Sequence, residues 1–530
     1  MKNIASTLSI ALLSGAALSC SDRILDEINT DKSHPLSVEA KYILADVITA
    51  TAFSNVGGDL NTYFATYVEH EVGIDNQLWR AETREGEPIM ATTFNNEWEG
   101  LYTTLKDARI ALSLCSAGGK QEGNNVTKGI AEVLVAYNSA LITDFFGDVP
   151  WSEAAQVDVN GNPLHLIPKI DRQEDVYKGI FELLDNAIAD LQGVDIPDIG
   201  SCDLLYGGDR SKWIKFAYGL KARYTMRLLH RAADKTAALN EVLDYVSQSF
   251  TSASEQAAVD IYDANNLNPL FDFQWSRQGL GASASLAEKL IARNDPRLRR
   301  VFISAKWVQV EDTITAGRED TDSTAVYFPA PNGTPVQQKS HYNTSVFVFS
   351  QMSPTLLLSY HELLFLKAEA LARKEGAAAS AKAALKDAVL AGMTNTEASV
   401  AAAFSAPEAL RKGGLHKTTD PVDATEAAAY FDGEVDTLFN LNPVKEVMVQ
   451  KYLAFFGASG ESPEAYNDVR RLKALGEDYI TLANPKNANE FPLRCGYGAS
   501  ETTTNPAVQA AFGDGRYVYA EPVWWAGGTR

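Results

Sequence analysis

Cysteine and positive charge are both scarce in this chain. Among 530 residues only four cysteines occur, Cys20, Cys115, Cys202 and Cys495. Cysteines this few and this scattered exclude a disulfide-stapled scaffold. Lys and Arg number 47 against 68 Asp and Glu, which gives a formal net charge of -21. Nucleic-acid binding and polybasic membrane attachment both depend on Lys and Arg, so this balance argues against either.

The motifs of common catalytic and cofactor sites are absent as well. No Gly-x-Ser-x-Gly, phosphate-binding loop or dinucleotide glycine pattern occurs. His70 and His361 are each followed by Glu, but neither has the second histidine of a zinc helix. The acidic run that starts at Asp158 has Pro163 where a calcium loop needs glycine. We therefore predict no catalytic residue, no cofactor and no metal, although a glycosidase-type pair of acids stays open in so acidic a chain.

The start of the chain has the pattern of an export signal. Residues 1–19 carry a basic Lys2 and a small, apolar run, and Cys20 follows directly. This pattern predicts a lipoprotein signal peptide with Cys20 as the lipidated residue. The alternative is an ordinary secretory signal in which Cys20 is incidental, because residues 17–19 are a loose lead-in. No later apolar run approaches the roughly 18 residues that a spanning helix needs, so we expect attachment by lipid, with residues 20–36 as an acidic tether.

Apolar residues recur at helical spacing through most of the remaining chain. The clearest case is the stretch 126–227, where three such stripes are joined by short segments rich in Gly and Pro. We predict Asp209 or Ser211 as the N-cap of the third helix. Helices of this kind must pack on one another to bury their apolar faces. The sequence therefore predicts a predominantly α protein, a tetratricopeptide-like helical-repeat scaffold over about 37–250 and 355–475.

Periodicity fades in a few stretches. Pro, Gly, Asn, Asp and aromatic residues crowd into residues 251–354, where only 285–292 is predicted to be helical. Residues 75–94 are likewise predicted to form a loop, and 476–530 are irregular. A loop-rich span this long inside a compact chain is usually functional. We predict one domain over 37–530, with the insertion 251–354 carrying function.

Several longer motifs follow one another along the chain. They are TDFFGDVPWSEA (143–154), IPKIDRQEDVYKGIFELLDNAI (167–188), YGGDRSKWIKFAYGLKARYTMR (206–227), NDPRL (294–298), SYHELLFLKAEALAR (359–373), EVMVQKYLAFFG (446–457), EAYNDVRR (464–471) and FPLRCGYGASE (491–501). In this order they resemble the SusD/RagB family of nutrient-binding outer-membrane lipoproteins, in its SusD-like subgroup. The departures are small, notably Gly496 and Gly498 around Tyr497.

The resemblance implies a fold, a place and a partner. The fold is a predominantly helical domain with tetratricopeptide-like helix pairs, and its irregular insertions carry the ligand site. The partner is a SusC-like TonB-dependent β-barrel in the outer membrane, over which the lipoprotein sits as a lid facing the cell exterior. Family ligands are typically oligosaccharides, although peptide-binding relatives exist.

Sugar binding needs flat apolar faces for the C–H side of the rings and polar groups for the hydroxyls. These residue types meet in the irregular stretches, and ordinary loop packing is the alternative for each of them. The candidate ligand-binding residues are Asn76, Trp79, Arg80, Asp272, Trp275, Arg277, Trp307, Tyr342 and Asn343. The motif residues Asp144, Asp148, Trp98, Trp213, Arg297, Arg470 and Arg471 are instead assigned to the scaffold.

These observations together predict a non-catalytic, surface-exposed lipoprotein. It would bind oligosaccharide nutrients and deliver them to a SusC-like TonB-dependent transporter. The alternatives are a peptide-binding lid of the same type of transporter, or a glycoside hydrolase.

Overall fold

The computed structural model describes residues 38–158, 162–196, 198–302, 328–339, 341–406 and 420–530, and the backbone of 307–310 and 313–316. The predicted signal peptide, Cys20 and the tether lie outside these residues. The helices are α1 (Ala40–Ala50), α2 (Asp59–Tyr67), α3 (Asn76–Thr83), α4 (Asn95–Cys115), α5 (Asn125–Phe146), α6 (Gln173–Asp190), α7 (Arg210–Arg227), α8 (Lys235–Ser247), α9 (Pro269–Arg277), α10 (Ala284–Ile291), α11 (Leu298–Val301), α12 (Tyr360–Glu375), α13 (Ala379–Ser405), α14 (Ala424–Tyr430), α15 (Asp436–Leu441), α16 (Pro443–Ala454), α17 (Ser462–Leu475), α18 (Asn487–Glu490), α19 (Ala499–Thr504), α20 (Pro506–Phe512) and α21 (Tyr517–Ala520). A π-helical turn, Thr51–Val56, continues α1, and a second one, Phe431–Val435, continues α14.

The strands are short and form four antiparallel pairs. They are β1 (Glu71–Gly73), β2 (Val149–Pro150), β3 (Ile170–Asp171), β4 (Ala257–Val259), β5 (Leu280–Ala282), β6 (Trp307–Val310), β7 (Thr313–Ala316) and β8 (Thr355–Leu358). The pairs are β1 with β5, β2 with β3, β4 with β8, and β6 with β7. The predicted fold class is therefore confirmed, since helices form the body and strands only tie segments together.

Helices adjacent in sequence pack in pairs, as the apolar stripes predict. Helix α5 packs between α4 and α6, while α7 packs against α8 and α12 against α13. The N-cap of α7 is Asp209, whose carboxylate accepts hydrogen bonds from the backbone N–H groups of Ser211 and Lys212, so this prediction is confirmed.

Helix α5 lies in the middle of the core. It is long and apolar enough to cross a bilayer by length and composition, yet it is buried inside the protein. The sequence predicts no such run beyond the signal, because small and polar residues such as Asn138 and Ser139 interrupt the apolar stretch of this helix. Asn138 is satisfied inside the core, where its amide donates to Leu134 O at 2.9 Å.

The turn after α5 is built around a close approach of side chains. Gly147 ends the helix with a φ of 81°, and a Cβ at this position would meet the Arg494 guanidinium at 2.4 Å. Asp148 accepts a hydrogen bond from the backbone N–H of Gln173 at 2.8 Å, at the start of α6. The outer edge of the Trp151 indole lies against Gly179 of α6, where a Cβ would meet the ring at 2.2 Å. The motif residues here brace the scaffold, as predicted.

Ion pairs are buried between helices that are distant in sequence. The Arg227 guanidinium on α7 contacts the carboxylates of Asp144 on α5, at 2.6 Å, and of Glu464 on α17. Arg471 on α17 holds the Glu369 carboxylate of α12 with two hydrogen bonds, of 2.7 and 2.8 Å. These pairs fix how the helix pairs sit on one another, because an unpaired charge at the same depth would cost several kcal/mol.

Two loop predictions are wrong. Residues 75–94 contain α3, and residues 251–354 contain α9 in addition to the predicted helix near 285. Both helices are two turns long and bury only a few apolar residues each, Leu78 and Ala81 in α3 and Leu270 and Phe271 in α9. An apolar stripe this short cannot be recognised by periodicity.

Candidate functional site

The β1–β5 pair brings together two segments that are remote in sequence. Glu71 pairs with Ala282 and Gly73 with Leu280, and the backbone N–H of Ile74 donates to Gly279 O at 2.8 Å. Helix α3 begins just after β1, and α9 ends just before β5. Two of the predicted groups of ligand-binding residues, one on each helix, are therefore neighbours at this end of the protein.

Helix α9 is held firmly, and one side of it faces outward. Its N-cap, Asn268, accepts a hydrogen bond from Leu270 N at 2.9 Å and donates to the carbonyls of Ser353 and Ala458. Its own residues Leu270 and Phe271 are buried on the inner side of the helix. A rigid helix that presents polar and aromatic side chains to solvent is a suitable base for a binding site.

A cleft of about 400 Å³ lies along α9, between this helix, the π-helical turn after α1 and the start of α4. We call it the α9 cleft. Its lining residues combine aromatic rings with carboxyl, amide, hydroxyl and guanidinium groups. They are Phe53, Ser54, Asn55, Gly58, Asp59, Asn96, Glu97, Gly100, Pro269, Asp272, Phe273, Ser276 and Arg277. Its volume falls in the range of small-ligand sites.

Two of the predicted residues, Asp272 and Arg277, line the α9 cleft, and both are exposed. Trp275 lies on the same helix with 37% of its surface exposed. Its indole stacks on the Phe271 ring, with centroids 6.1 Å apart and planes 8° apart. This contact supports the indole on the surface of α9.

The predicted residues of α3 lie next to this region with differing exposure. Asn76 and Arg80 are exposed, and Arg80 lies 3.9 Å from the Glu87 carboxylate. Trp79 is half-buried, and its indole N–H donates to Pro335 O at 2.9 Å. Trp79 thus also ties the segment 328–339 to α3.

Tyr342 and Asn343 are buried. The Tyr342 hydroxyl accepts a hydrogen bond from Val336 N at 2.9 Å, and the Asn343 side chain accepts one from Phe328 N at 3.0 Å. Both side chains are used to hold the segment 328–345 together, so we place them outside the candidate site. The side chain of Trp307 lies outside the described residues.

The deepest polar groups of the α9 cleft were not predicted. Glu97 is 9% exposed, and burial, reinforced by the negative charge of Asp59, raises its pKa to about 9. Asn55 is held by the core, since its amide donates to Asn138 Oδ1 at 2.9 Å. These residues cannot be predicted from the sequence, because they lie on helices next to apolar stripes, where an acidic residue is normally exposed to solvent. The one sequence feature that indicates burial here is the neighbouring Trp98, which is buried and so places Glu97 at the edge of the core.

Among the described residues, no group of three or more His, Cys, Asp or Glu side chains is arranged to hold a metal ion. The fold and the cleft define a helical-repeat protein with a polar and aromatic cleft between its helices. A comparison with family models identifies it further. Residues 36–497 match the SusD-like family model, described as starch-binding and associating with the outer membrane. The chain belongs to this SusD-like family.

Solved structures agree with this assignment. A SusD/RagB family protein from Bacteroides thetaiotaomicron is 52% identical, with a TM-score of 0.85 over 93% of this chain and 100% of that one. A SusD homologue from Bacteroides fragilis shares the fold at 20% identity, with a TM-score of 0.67 over 92% of this chain and 100% of that one. A chitin-binding SusD homologue from Flavobacterium johnsoniae does so at 18% identity, with a TM-score of 0.64 over 92% and 98%. No curated protein matches this chain.

Proposed function

We propose that this protein captures oligosaccharides at the α9 cleft, without changing them chemically, and delivers them to a SusC-like TonB-dependent barrel. The observation that supports the proposal most strongly is that aromatic and polar side chains of the firmly held helix α9 line this cleft. Phe53 and Phe273 offer apolar aromatic faces in the cleft, and Asp272 and Arg277 offer acceptors and donors for sugar hydroxyls. Trp275 lies beside the cleft on the same helix and is partly exposed. The family description as starch-binding and the chitin-binding relatives support a glycan as the ligand.

We also propose that the protein is anchored by lipid at Cys20 and faces the cell exterior. Association of the family with the outer membrane supports this placement. A lid over a transport barrel needs to bind its cargo only transiently, so a shallow site of moderate affinity suits it. We expect dissociation constants on the order of micromolar to millimolar.

Titration calorimetry of the purified protein against a panel of starch, chitin, cellulose and hemicellulose oligomers tests the function. At least one oligomer should bind. Trp275→Ala and Arg277→Ala should each weaken that binding by about tenfold, as expected for the loss of one stacking or charge-assisted contact. The matched control is Arg172→Ala, because Arg172 is exposed, pairs with Glu174 and does not line the cleft.

Two results would overturn the proposal. If no glycan binds and extended peptides do, the result would favour the peptide-binding lid. Release of shortened glycans during incubation, lost on changing Asp59 or Glu97, would favour a hydrolase.

A further inference from the structure

A second cavity, of about 280 Å³, lies between α10, α16 and residues 479–483. We call it the basic pocket. Its lining residues are Ser285, Glu288, Lys289, Ala292, Arg293, Lys445, Val449, Tyr452, Tyr479, Ile480, Thr481 and Ala483. None of these residues lines the α9 cleft, so the two cavities have separate walls.

Two walls of the basic pocket are single faces of helices. Along α10 the lining positions recur at helical spacing, at 285, 288, 289 and 292, while Leu286 and Leu290 are buried on the other side of the helix. Along α16 the lining positions are 445, 449 and 452. Side chains on regular helices are held more precisely than side chains on loops, which suits a binding site.

The third wall is held in place from the core. The Glu69 carboxylate, which is fully buried, accepts hydrogen bonds from the backbone N–H groups of Ala483 and Asn484, both at 2.7 Å. The Tyr452 hydroxyl donates to Val68 O at 2.8 Å. Residues 479–483 and α16 are therefore both tied to the end of α2, and the shape of the basic pocket is set by the fold.

The basic pocket concentrates positive charge in an acidic protein. Its charged lining residues are three cations, Lys289, Arg293 and Lys445, and one acid, Glu288, which is exposed. The chain as a whole carries a formal net charge of -21. Salt screens charges that lie more than about 8 Å apart at physiological ionic strength, so the nearby charges decide which ions the pocket attracts. The local excess of cations favours an anion.

The Lys289 ammonium is half-buried, and it forms no ion pair with a carboxylate in the part of the chain that the structure describes. Its two hydrogen bonds both go to Ser285, to the hydroxyl at 2.6 Å and to the carbonyl oxygen at 3.3 Å. It also lies 5.8 Å from the centre of the Tyr452 ring. An ammonium group has three N–H donors, so one donor is left over. Burial lowers the pKa of Lys289, although the charges of Glu69 and Glu288 act to raise it.

The Arg293 guanidinium is only partly satisfied as well. Its Nη2 donates to the Glu446 carboxylate at 3.2 Å, and its buried Nε has no hydrogen-bond partner among the described residues. Lys445, next to Glu446 in sequence, is exposed. Glu446 is thus engaged by Arg293, and the charges of Lys289 and Lys445 are left for a ligand.

We infer that the basic pocket binds a sugar unit that carries a carboxylate, a hexuronate of an acidic oligosaccharide. Lys289 and Lys445 would hold the carboxylate through charge-assisted hydrogen bonds. The hydroxyls of Ser285 and Thr481 suit the sugar hydroxyls, and the Tyr479 ring suits the C–H face of the sugar. The volume lies near the lower end of the range for small-ligand sites, which favours a single sugar unit over an extended peptide.

Monosaccharides test the basic pocket without any assumption about linkage. The probes are glucuronate, galacturonate and the methyl ester of each, because the ester keeps the ring and removes the charge. In ligand-observed NMR titrations of the purified protein at pH 7 and low salt, at least one uronate should bind at least tenfold more tightly than its ester. The preference should shrink as salt is added, because it is largely electrostatic.

Lys289→Met keeps the length of the side chain and removes its charge. This variant should lose at least fivefold in affinity for the preferred uronate. Lys367→Met is the matched control, since Lys367 is exposed on α12 and does not line the basic pocket, and it should bind the uronate as the native protein does. Thermal unfolding checks that both variants fold. Lys445→Met, at an exposed position, should lower the affinity about threefold and gives a second test that does not disturb a buried side chain.

Three results would overturn the hexuronate assignment. The first is equal binding of a uronate and its ester, or undiminished uronate binding by both Lys289→Met and Lys445→Met. The second is binding of acetate or inorganic sulfate as tightly as of the uronate, which would show an anion site without sugar recognition. The third is tighter binding of a tetraglutamate peptide than of either uronate, which would assign the pocket to an acidic peptide.

The basic pocket and the α9 cleft are tested separately. Binding of a neutral oligomer without any response to the uronates overturns the hexuronate site alone. Binding of a uronate while every neutral oligomer fails overturns glycan capture at the α9 cleft and supports the hexuronate site.

Discussion

Glu369 shows how single residues in this protein divide between scaffold and site. Its carboxylate is completely buried on α12 and contacts Arg471 and Arg373. Burial alone would raise the pKa of Glu369, but the two guanidinium groups hold it well below its usual range. Glu97 in the α9 cleft is nearly as buried, and there burial and the negative charge of Asp59 raise the pKa to about 9. The two acids differ because Glu369 is paired with guanidinium groups and stays ionised, whereas Glu97 lies beside another acid and keeps its proton at neutral pH.

We predict that Glu369→Ala lowers the free energy of unfolding by about 3 to 5 kcal/mol, because it leaves two buried guanidinium groups without their carboxylate. Urea unfolding followed by circular dichroism measures the change. Glu375→Ala on the same helix is the control, as Glu375 is exposed, and it should change stability by less than about 0.5 kcal/mol. A loss in Glu369→Ala no larger than in this control would contradict the ion-pair argument.

Several residue-level predictions hold because they depend on local chemistry. Trp213 and Trp98 are buried, as the apolar stripes indicate, and Arg297 pairs with its neighbour Asp295 at 2.6 Å. Arg470 and Arg471 are buried scaffold residues. The spacing of a residue on a helix suffices for such predictions.

At the scale of elements, the segment 328–345 depends on buried carboxyl groups. Glu71 on β1 hydrogen-bonds the Ser345 hydroxyl, and Glu82 on α3 accepts from the backbone N–H of Gly333 at 2.5 Å. Burial raises the pKa of Glu71 and of Glu82 to about 8 in each case. Both groups therefore keep a proton in the folded protein over a pH range where the unfolded chain has lost it.

The sign of the resulting pH dependence follows from linkage. A carboxyl whose folded pKa is raised stabilises the fold fully below its unfolded pKa of about 4.5, and this stabilisation is lost as the pH rises through about 8. We predict that the segment opens more readily at pH 9 than at pH 6. Hydrogen exchange of 328–345, compared between native protein and Glu71→Gln at each pH, measures the effect. The variant should open less steeply with pH, whereas Glu85→Gln, at an exposed position, should follow the native protein.

The sequence predicts the long elements and misses the short ones. Helix α5 has six turns of apolar periodicity, while α3 and α9 have two turns each and were predicted as loops. The residue types at 272, 275 and 277 nevertheless pointed to the helix along which the cleft lies. The sequence could not predict that α9 lies close to Phe53, Asp59 and Glu97. This proximity depends on the pairing of β1 with β5, which are separated by about two hundred residues.

At the scale of the whole molecule, the proposed role depends on attachment to the membrane. We predict that Cys20→Ala moves the protein from the membrane fraction to the soluble fraction, because alanine at this position could not carry the acyl chains of the proposed anchor. Fractionation followed by detection of the protein measures this. Cys202→Ala is the control, as Cys202 is a half-buried free cysteine within the fold. Retention of Cys20→Ala in the membrane fraction would point to attachment through the partner barrel alone.

The Arg227 contacts also have a consequence for folding during synthesis of the chain. This guanidinium is buried against Asp144 and Glu464, and Glu362 and Glu464 flank the neighbouring Arg223. A nascent chain that has emerged only as far as α16 would have both cations in place but would lack one of their shared counter-charges. The counter-charge that these two cations share therefore arrives only with α17, long after the helix that carries both of them has been made.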